Sequence, residues 1–99
     1  MVLMIALGRF TQEGMTKIKE SPQRLEAARK VFKSIGGELK QFYYTVGRYD
    51  FVAIGEGPSN EALMQALLTV SSVAGAVRME ALVAVPSEKA ATEIIKKLP

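Results

Sequence analysis

Ninety-nine residues, 48% hydrophobic and 23% charged with a net charge of +3, describe one small folded domain over residues 1–99. With neither cysteine nor histidine, the chain has no disulfides and no thiolate or imidazole chemistry, and it lacks the usual ligands of zinc and haem iron. No metal and no cofactor is therefore expected. A core this small holds limited apolar surface, so the excess points to contact with another chain.

Val2 to Phe10 is an aliphatic run of strand length. The opening MVLMIALGRF carries no basic leader, which gives the expectation of a cytoplasmic protein. No apolar run reaches the ~18 residues of a membrane span. A polar connection from Thr11 to Glu20 follows, longer than the usual link between strand and helix. Ser21-Pro22 predicts a helix start, with serine as cap and proline at the first helical position. Leu25, Ala28, Phe32 and Ile35 share one face of that helix, and Gly36-Gly37 ends it.

Glu38 to Val46 and Tyr49 to Glu56 read as two strands joined at Gly47-Arg48, where a leading glycine suits a tight type II′ turn. Gly57-Pro58-Ser59 breaks the second of these and opens a helix with Leu63, Leu67 and Val70 on one face. Ala76 to Val85 is a fourth strand, and Pro86-Ser87 begins a last helix carrying Ile94, Ile95 and Leu98. The order is βαββαβ plus a terminal helix. That order predicts an α+β, ferredoxin-like sandwich.

A turn at Gly47-Arg48 pairs Val46 with Tyr49, Tyr44 with Phe51, and Phe42 with Ala53. One hairpin face then carries Phe42, Tyr44, Val46, Tyr49 and Phe51, and the other Tyr43, Thr45, Asp50, Val52, Ile54 and Glu56. If Val52 and Ile54 pack on the helices, the aromatic set lies on the open sheet face, where it meets either stacked bases or a second sheet. The stretch Tyr49-Asp50-Phe51-Val52-Ala53-Ile54 nearly copies the third-strand signature of RNA-recognition modules. Those modules also need an aromatic on the first strand, and none stands before Phe10; Asp50 moreover repels phosphate. Nucleic acid is disfavoured as a partner. Small residues such as Ala6, Gly8 and Ala53 instead suit the close approach of a second sheet. Phe42, Tyr44, Val46 and Phe51 are the expected contact of a homodimer or larger assembly.

Polar candidates for a site fall into two groups. With the first and third strands taken as parallel, Arg9 comes near Glu56, and the fourth strand adds Arg78. Thr11 and Glu13 leave from the same end, so a small anionic ligand could be held there bidentately. The hairpin motif Gly47, Tyr49 and Asp50 is assigned to the other end. There Asp50 either anchors a ligand amine or fixes the hairpin, and the second is favoured.

With these residues placed, the chain resembles the GYD-domain family, whose Gly-x-Tyr-Asp core stands here as Gly47-Arg48-Tyr49-Asp50. GRFTQEG (8–14), the run SPQRLEAARKVFKSIGGELKQFYYTVGRYDFVAI (21–54) and GAVRMEALVAV (75–85) extend the likeness almost end to end. Arg48 stands where the family often has an acidic residue. The resemblance implies a dimeric α/β barrel and no catalytic residues. The second half also resembles the ligand-sensing module of leucine-responsive regulators, and the expectation is of a sensor without its DNA-binding part. Two functions follow as expectations. The first is a small-molecule binding or sensing homodimer; the alternative is a cofactor-independent enzyme acting on a small carbonyl or aromatic metabolite.

Overall fold

The computed structural model describes residues 1–99, except for the side chains of residues 73 and 74. Strand β1 (Val2–Phe10) leads into a short helix α1 (Gln12–Thr16) and a 3-10 turn (Ile18–Glu20). Helix α2 (Ser21–Ser34), strands β2 (Glu38–Tyr44) and β3 (Phe51–Gly57), helix α3 (Asn60–Ala74) and strand β4 (Val77–Ala84) follow. The chain closes with α4 (Ser87–Glu93) and a second 3-10 turn (Ile95–Lys97). The strands form one sheet in the order β2-β3-β1-β4 with every neighbouring pair antiparallel. This is the ferredoxin-like α+β fold, with both long helices on one face of the sheet.

Several boundaries follow the punctuation of the sequence. Ser59 caps α3 by accepting from the Ala62 amide at 3.1 Å, and Gly75 ends that helix in the left-handed region at φ 59°. Two starts differ from expectation. Much of the polar connection after β1 is helical, because Thr11 accepts from the Gly14 amide at 3.1 Å and caps α1. Ser21 is not a cap: the preceding 3-10 turn already supplies helical backbone, so Ser21 lies within the helix and its hydroxyl is free for another partner.

The hairpin pairs Tyr44 with Phe51 and Phe42 with Ala53, as the turn position requires. The strands stop there, however, and residues 45–50 form a six-residue loop in place of a two-residue turn. Gly47 sits in it at φ 138°, a conformation that L side chains rarely adopt.

The faces of the sheet are the reverse of the expected ones. Met4, Ala6, Phe51 and Ala53 are buried against α2 and α3, together with Phe32, Leu39 and Leu63. Phe42 packs on the same cluster. Leu3, Ile5, Leu7, Val52 and Ile54 alternate with them and lie on the uncovered face. The reason is steric. Rings on β2 and β3 need small neighbours, and a Cβ at Gly8 would collide with the Phe51 ring. Ala6, Gly8, Ala53 and Gly55 thus make room for aromatics and helices. Phe42 and Phe51 are therefore not an outward contact, whereas Tyr44, 54% exposed at the end of β2, and Val46, fully exposed in the hairpin loop, stay on the surface.

Candidate functional site

Between the helices and the sheet the core is incompletely filled. A cavity of about 120 Å³ lies under α2, walled by Phe10, Phe42 and Phe51 from the sheet and by Leu25, Val31 and Leu67 from the helices. The small side chains Ala6, Ala28 and Ala53 leave the space. The aromatic wall is continuous. Phe42 stacks on Phe51 at 5.0 Å between ring centroids, Phe10 lies 5.5 Å from Phe51, and Tyr44 meets Phe42 edge-on at 5.1 Å.

Polar groups gather at one end. The hydroxyls of Ser21 and Tyr44 are 2.8 Å apart and hydrogen-bonded, Ser21 being only 6% exposed. Arg24 also lines the cavity, and its guanidinium donates to the carbonyls of Lys17 at 3.1 Å and Gly14 at 3.4 Å. It ties the α1 segment to α2 across the cavity's end. Thr11 holds the other side of that segment, its amide donating to the Ala76 carbonyl at 2.9 Å and its hydroxyl to the Gly75 carbonyl at 2.6 Å. Gly14 presses so closely on the Ala76 carbonyl that no side chain fits there. Sequence reasoning missed this site. Its signal was the pairing of Ala6, Gly8 and Ala53 with three aromatics, which serves ring packing within one chain and not a sheet–sheet contact.

The hairpin motif lies elsewhere, beside the end of β1. β1 and β3 run antiparallel: a right-handed crossover makes β1 and β2 parallel, and the hairpin then reverses the chain. Arg9 is consequently near Asp50 and far from Glu56. Glu56 pairs with Leu3 in register at the opposite end, where its carboxylate is 3.6 Å from Lys40. The expected pairing of Arg9 with Glu56 is thereby corrected. Glu13 is engaged with Lys17 at 3.4 Å in an exposed pair one helical turn apart. Arg78 does come level with Arg9 across β1 and β4.

At that end Asp50 completes the ladder between β1 and β3. Its amide donates to the Gly8 carbonyl at 2.8 Å, and its carboxylate accepts from the Phe10 amide at 2.9 Å. Thr45 closes the loop from the other side, donating through its amide to the Asp50 carbonyl and through its hydroxyl to the Tyr49 carbonyl. The Tyr49 hydroxyl donates to Glu80 at 3.0 Å, and the guanidinium groups of Arg9 and Arg48 lie 5.3 and 5.9 Å from its ring centroid. This is an exposed rim on the open face of the sheet, in which Asp50, Tyr49 and Glu80 are hydrogen-bonded and Arg9 and Arg48 lie against the Tyr49 ring. Among the described residues no group of three or more acidic, histidine or cysteine side chains could hold a metal ion. No described helix is long and apolar enough to cross a membrane.

Comparison with known proteins agrees with this architecture. The leucine response regulatory protein LrpA of Mycobacterium tuberculosis superposes with a TM-score of 0.64 at 17% identity, over 85% of this chain and 50% of the regulator. The chain thus spans about half the length of that regulator. A protein from Thermus thermophilus matches with a TM-score of 0.55 at 22% identity, over 86% of this chain and 94% of its own. A hypothetical protein from Pyrococcus horikoshii matches with a TM-score of 0.56 at 16% identity, over 90% and 95%. At these identities the likeness is one of fold. No curated protein matches the sequence significantly. The sequence model of the GYD domain matches residues 4–94, nearly the whole length, and the chain belongs to the GYD domain family.

Proposed function

We propose that this protein is a small-molecule binding or sensing homodimer whose ligand occupies the cavity beneath α2. The observation that carries the reading is the 120 Å³ space bounded by Phe10, Phe42 and Phe51, with the Ser21 hydroxyl at one end and the half-exposed Tyr44 hydroxyl bonded to it. An apolar cavity of about 150 Å³ holds a benzene-sized guest, so this smaller space, open at one side, takes at most a single ring whose substituent reaches the opening. The ligand class is therefore a small aromatic or branched aliphatic molecule with one hydrogen-bonding group. The polar side chains lining it are Ser21 and Arg24, with the Tyr44 hydroxyl bonded to Ser21, a set suited to holding a polar substituent more than to moving protons. The arginine rim is a weaker candidate, since Arg9 and Arg78 stand on an exposed surface and do not line the cavity. RNA stacking is not proposed, because Phe42 and Phe51 lie beneath the helices.

The dimer is proposed to form through the open face of the sheet. Leu3, Ile5, Leu7, Val52 and Ile54 make an apolar centre there, with Arg9, Arg78 and Glu80 at one end and Glu56 at the other. Burying such a centre and leaving charges at the edge is the usual anatomy of a stable interface.

The ligand reading is tested by titrating the protein with p-cresol and following side-chain methyl resonances. Shifts centred on Leu25, Val31, Leu67 and Met79, lost in Ala28→Leu, are the expected result. Shifts confined to the Arg9 and Arg78 end, or none at millimolar p-cresol, overturn it.

A further inference from the structure

The last fifteen residues are ordered as α4 and a 3-10 turn, yet they pack on little of their own chain. Of residues 85–99 only Ala90 is even partly buried. Val85, Ile94, Ile95 and Leu98 are 46–63% exposed. Lys89 lies 3.9 Å from Glu93 on the same helix, while the aliphatic side chains of the segment stay exposed. Pro86 holds extended backbone at φ −55° and ψ 143° between β4 and α4. The molecule extends 51 × 31 × 17 Å, with a radius of gyration of 14.8 Å; a compact chain of this length has about 13 Å.

A matching surface lies on the body of the protein. β4 is an edge strand, and α3 covers it incompletely. A groove of about 360 Å³ runs between the two, lined on the helix side by Met64, Leu68 and Val83, all 63–64% exposed. Edge strands left in this condition are ordinarily covered.

We propose that the C-terminal segment of one copy docks in the α3–β4 groove of a second copy, and that the two copies exchange these segments reciprocally. Symmetric exchange makes each copy both donor and acceptor, so the assembly closes at two chains. The area is sufficient. Four side chains of the segment and three of the groove, each exposing on the order of 100 Å², bury about 1,400 Å² over both copies, within the range of a standard stable interface. The proposal is independent of any ligand, and it places a second contact beside the one proposed for the open sheet face.

Because the chain contains no cysteine, single cysteines report this contact directly. Leu68→Cys and Ile95→Cys chains carrying different tags are mixed, equilibrated and treated with a short bis-maleimide linker. Ile95→Cys paired with Lys30→Cys, on the outer face of α2, is the control. The expected result is a linked heterodimer of Leu68→Cys and Ile95→Cys exceeding the control roughly tenfold, since docking raises the effective concentration to the millimolar range. Linkage no greater than the control overturns the proposal. So does the same linker closing within one chain of the Leu68→Cys/Ile95→Cys double variant at monomer mass, because the segment then occupies its own groove. A dimer that forms through the open sheet face alone gives no heterodimer linkage above control and is thereby distinguished.

Discussion

The carboxylate of Asp50 accepts from the Phe10 amide at 2.9 Å while the Asp50 amide donates to the Gly8 carbonyl. A side chain thus takes the place of a backbone acceptor and carries the β1–β3 ladder one step beyond the last regular pair. Hydrogen bonds to charged groups contribute about 1.5–3 kcal/mol. Asp50→Ala should therefore lower unfolding free energy by roughly that amount in urea denaturation, leaving p-cresol binding nearly intact. Asp50→Asn, which keeps an acceptor, should cost less.

Gly8 and Phe51 are coupled by contact. A methyl group at position 8 meets the Phe51 ring, and overpacking of this kind costs about 1–3 kcal/mol. Gly8→Ala should be destabilising by that measure, and Gly8→Ala/Phe51→Leu should cost less than the sum of the single variants, because the shorter side chain relieves the collision. Urea midpoints of the four proteins in the cycle check it.

Core and interface should separate cleanly in a pair of substitutions. Phe51→Ala empties a position that is 3% exposed and should cost about 3–5 kcal/mol, with no direct effect on self-association while the chain stays folded. Ile5→Asp places a charge at the centre of the open sheet face, so it should weaken the proposed dimer while the monomer retains its fold. Light scattering with circular dichroism reads both outcomes.

How far the chain could be read in advance follows from these same residues. The order of elements was legible because glycine, proline and serine punctuate it, at Gly36-Gly37, Gly57-Pro58-Ser59 and Pro86-Ser87. The hairpin register was legible too, since any even-length loop about Gly47-Arg48 keeps the pairing of Tyr44 with Phe51. The facing of the sheet was not. β1 offers Leu3, Ile5 and Leu7 on one side and Met4, Ala6 and Gly8 on the other, and hydrophobicity alone does not say which set meets the helices. What decides is volume: the rings of Phe42 and Phe51 need the small residues opposite. The direction of β1 against β3 was available from the crossover rule, and applying it would have kept Arg9 with Asp50. The cavity itself was not legible, because a void is a property of packing and not of any residue.

The Ser21–Tyr44 pair should discriminate between guests. Tyr44→Phe removes one hydroxyl of the 2.8 Å contact, and a neutral hydrogen bond is worth about 0.5–1.5 kcal/mol. p-Cresol should bind Tyr44→Phe several-fold more weakly than the natural protein, whereas toluene, which has no hydroxyl, should bind both alike. Equilibrium titration by calorimetry checks this.

The most direct test of the central claim is a crystal structure of the protein soaked with p-cresol. The account predicts an ordered ring among Phe10, Phe42 and Phe51, its hydroxyl within hydrogen-bonding distance of Ser21 or Tyr44. Density for p-cresol only at the Arg9 and Arg78 rim or on the open sheet face, with the space beneath α2 empty, would contradict it.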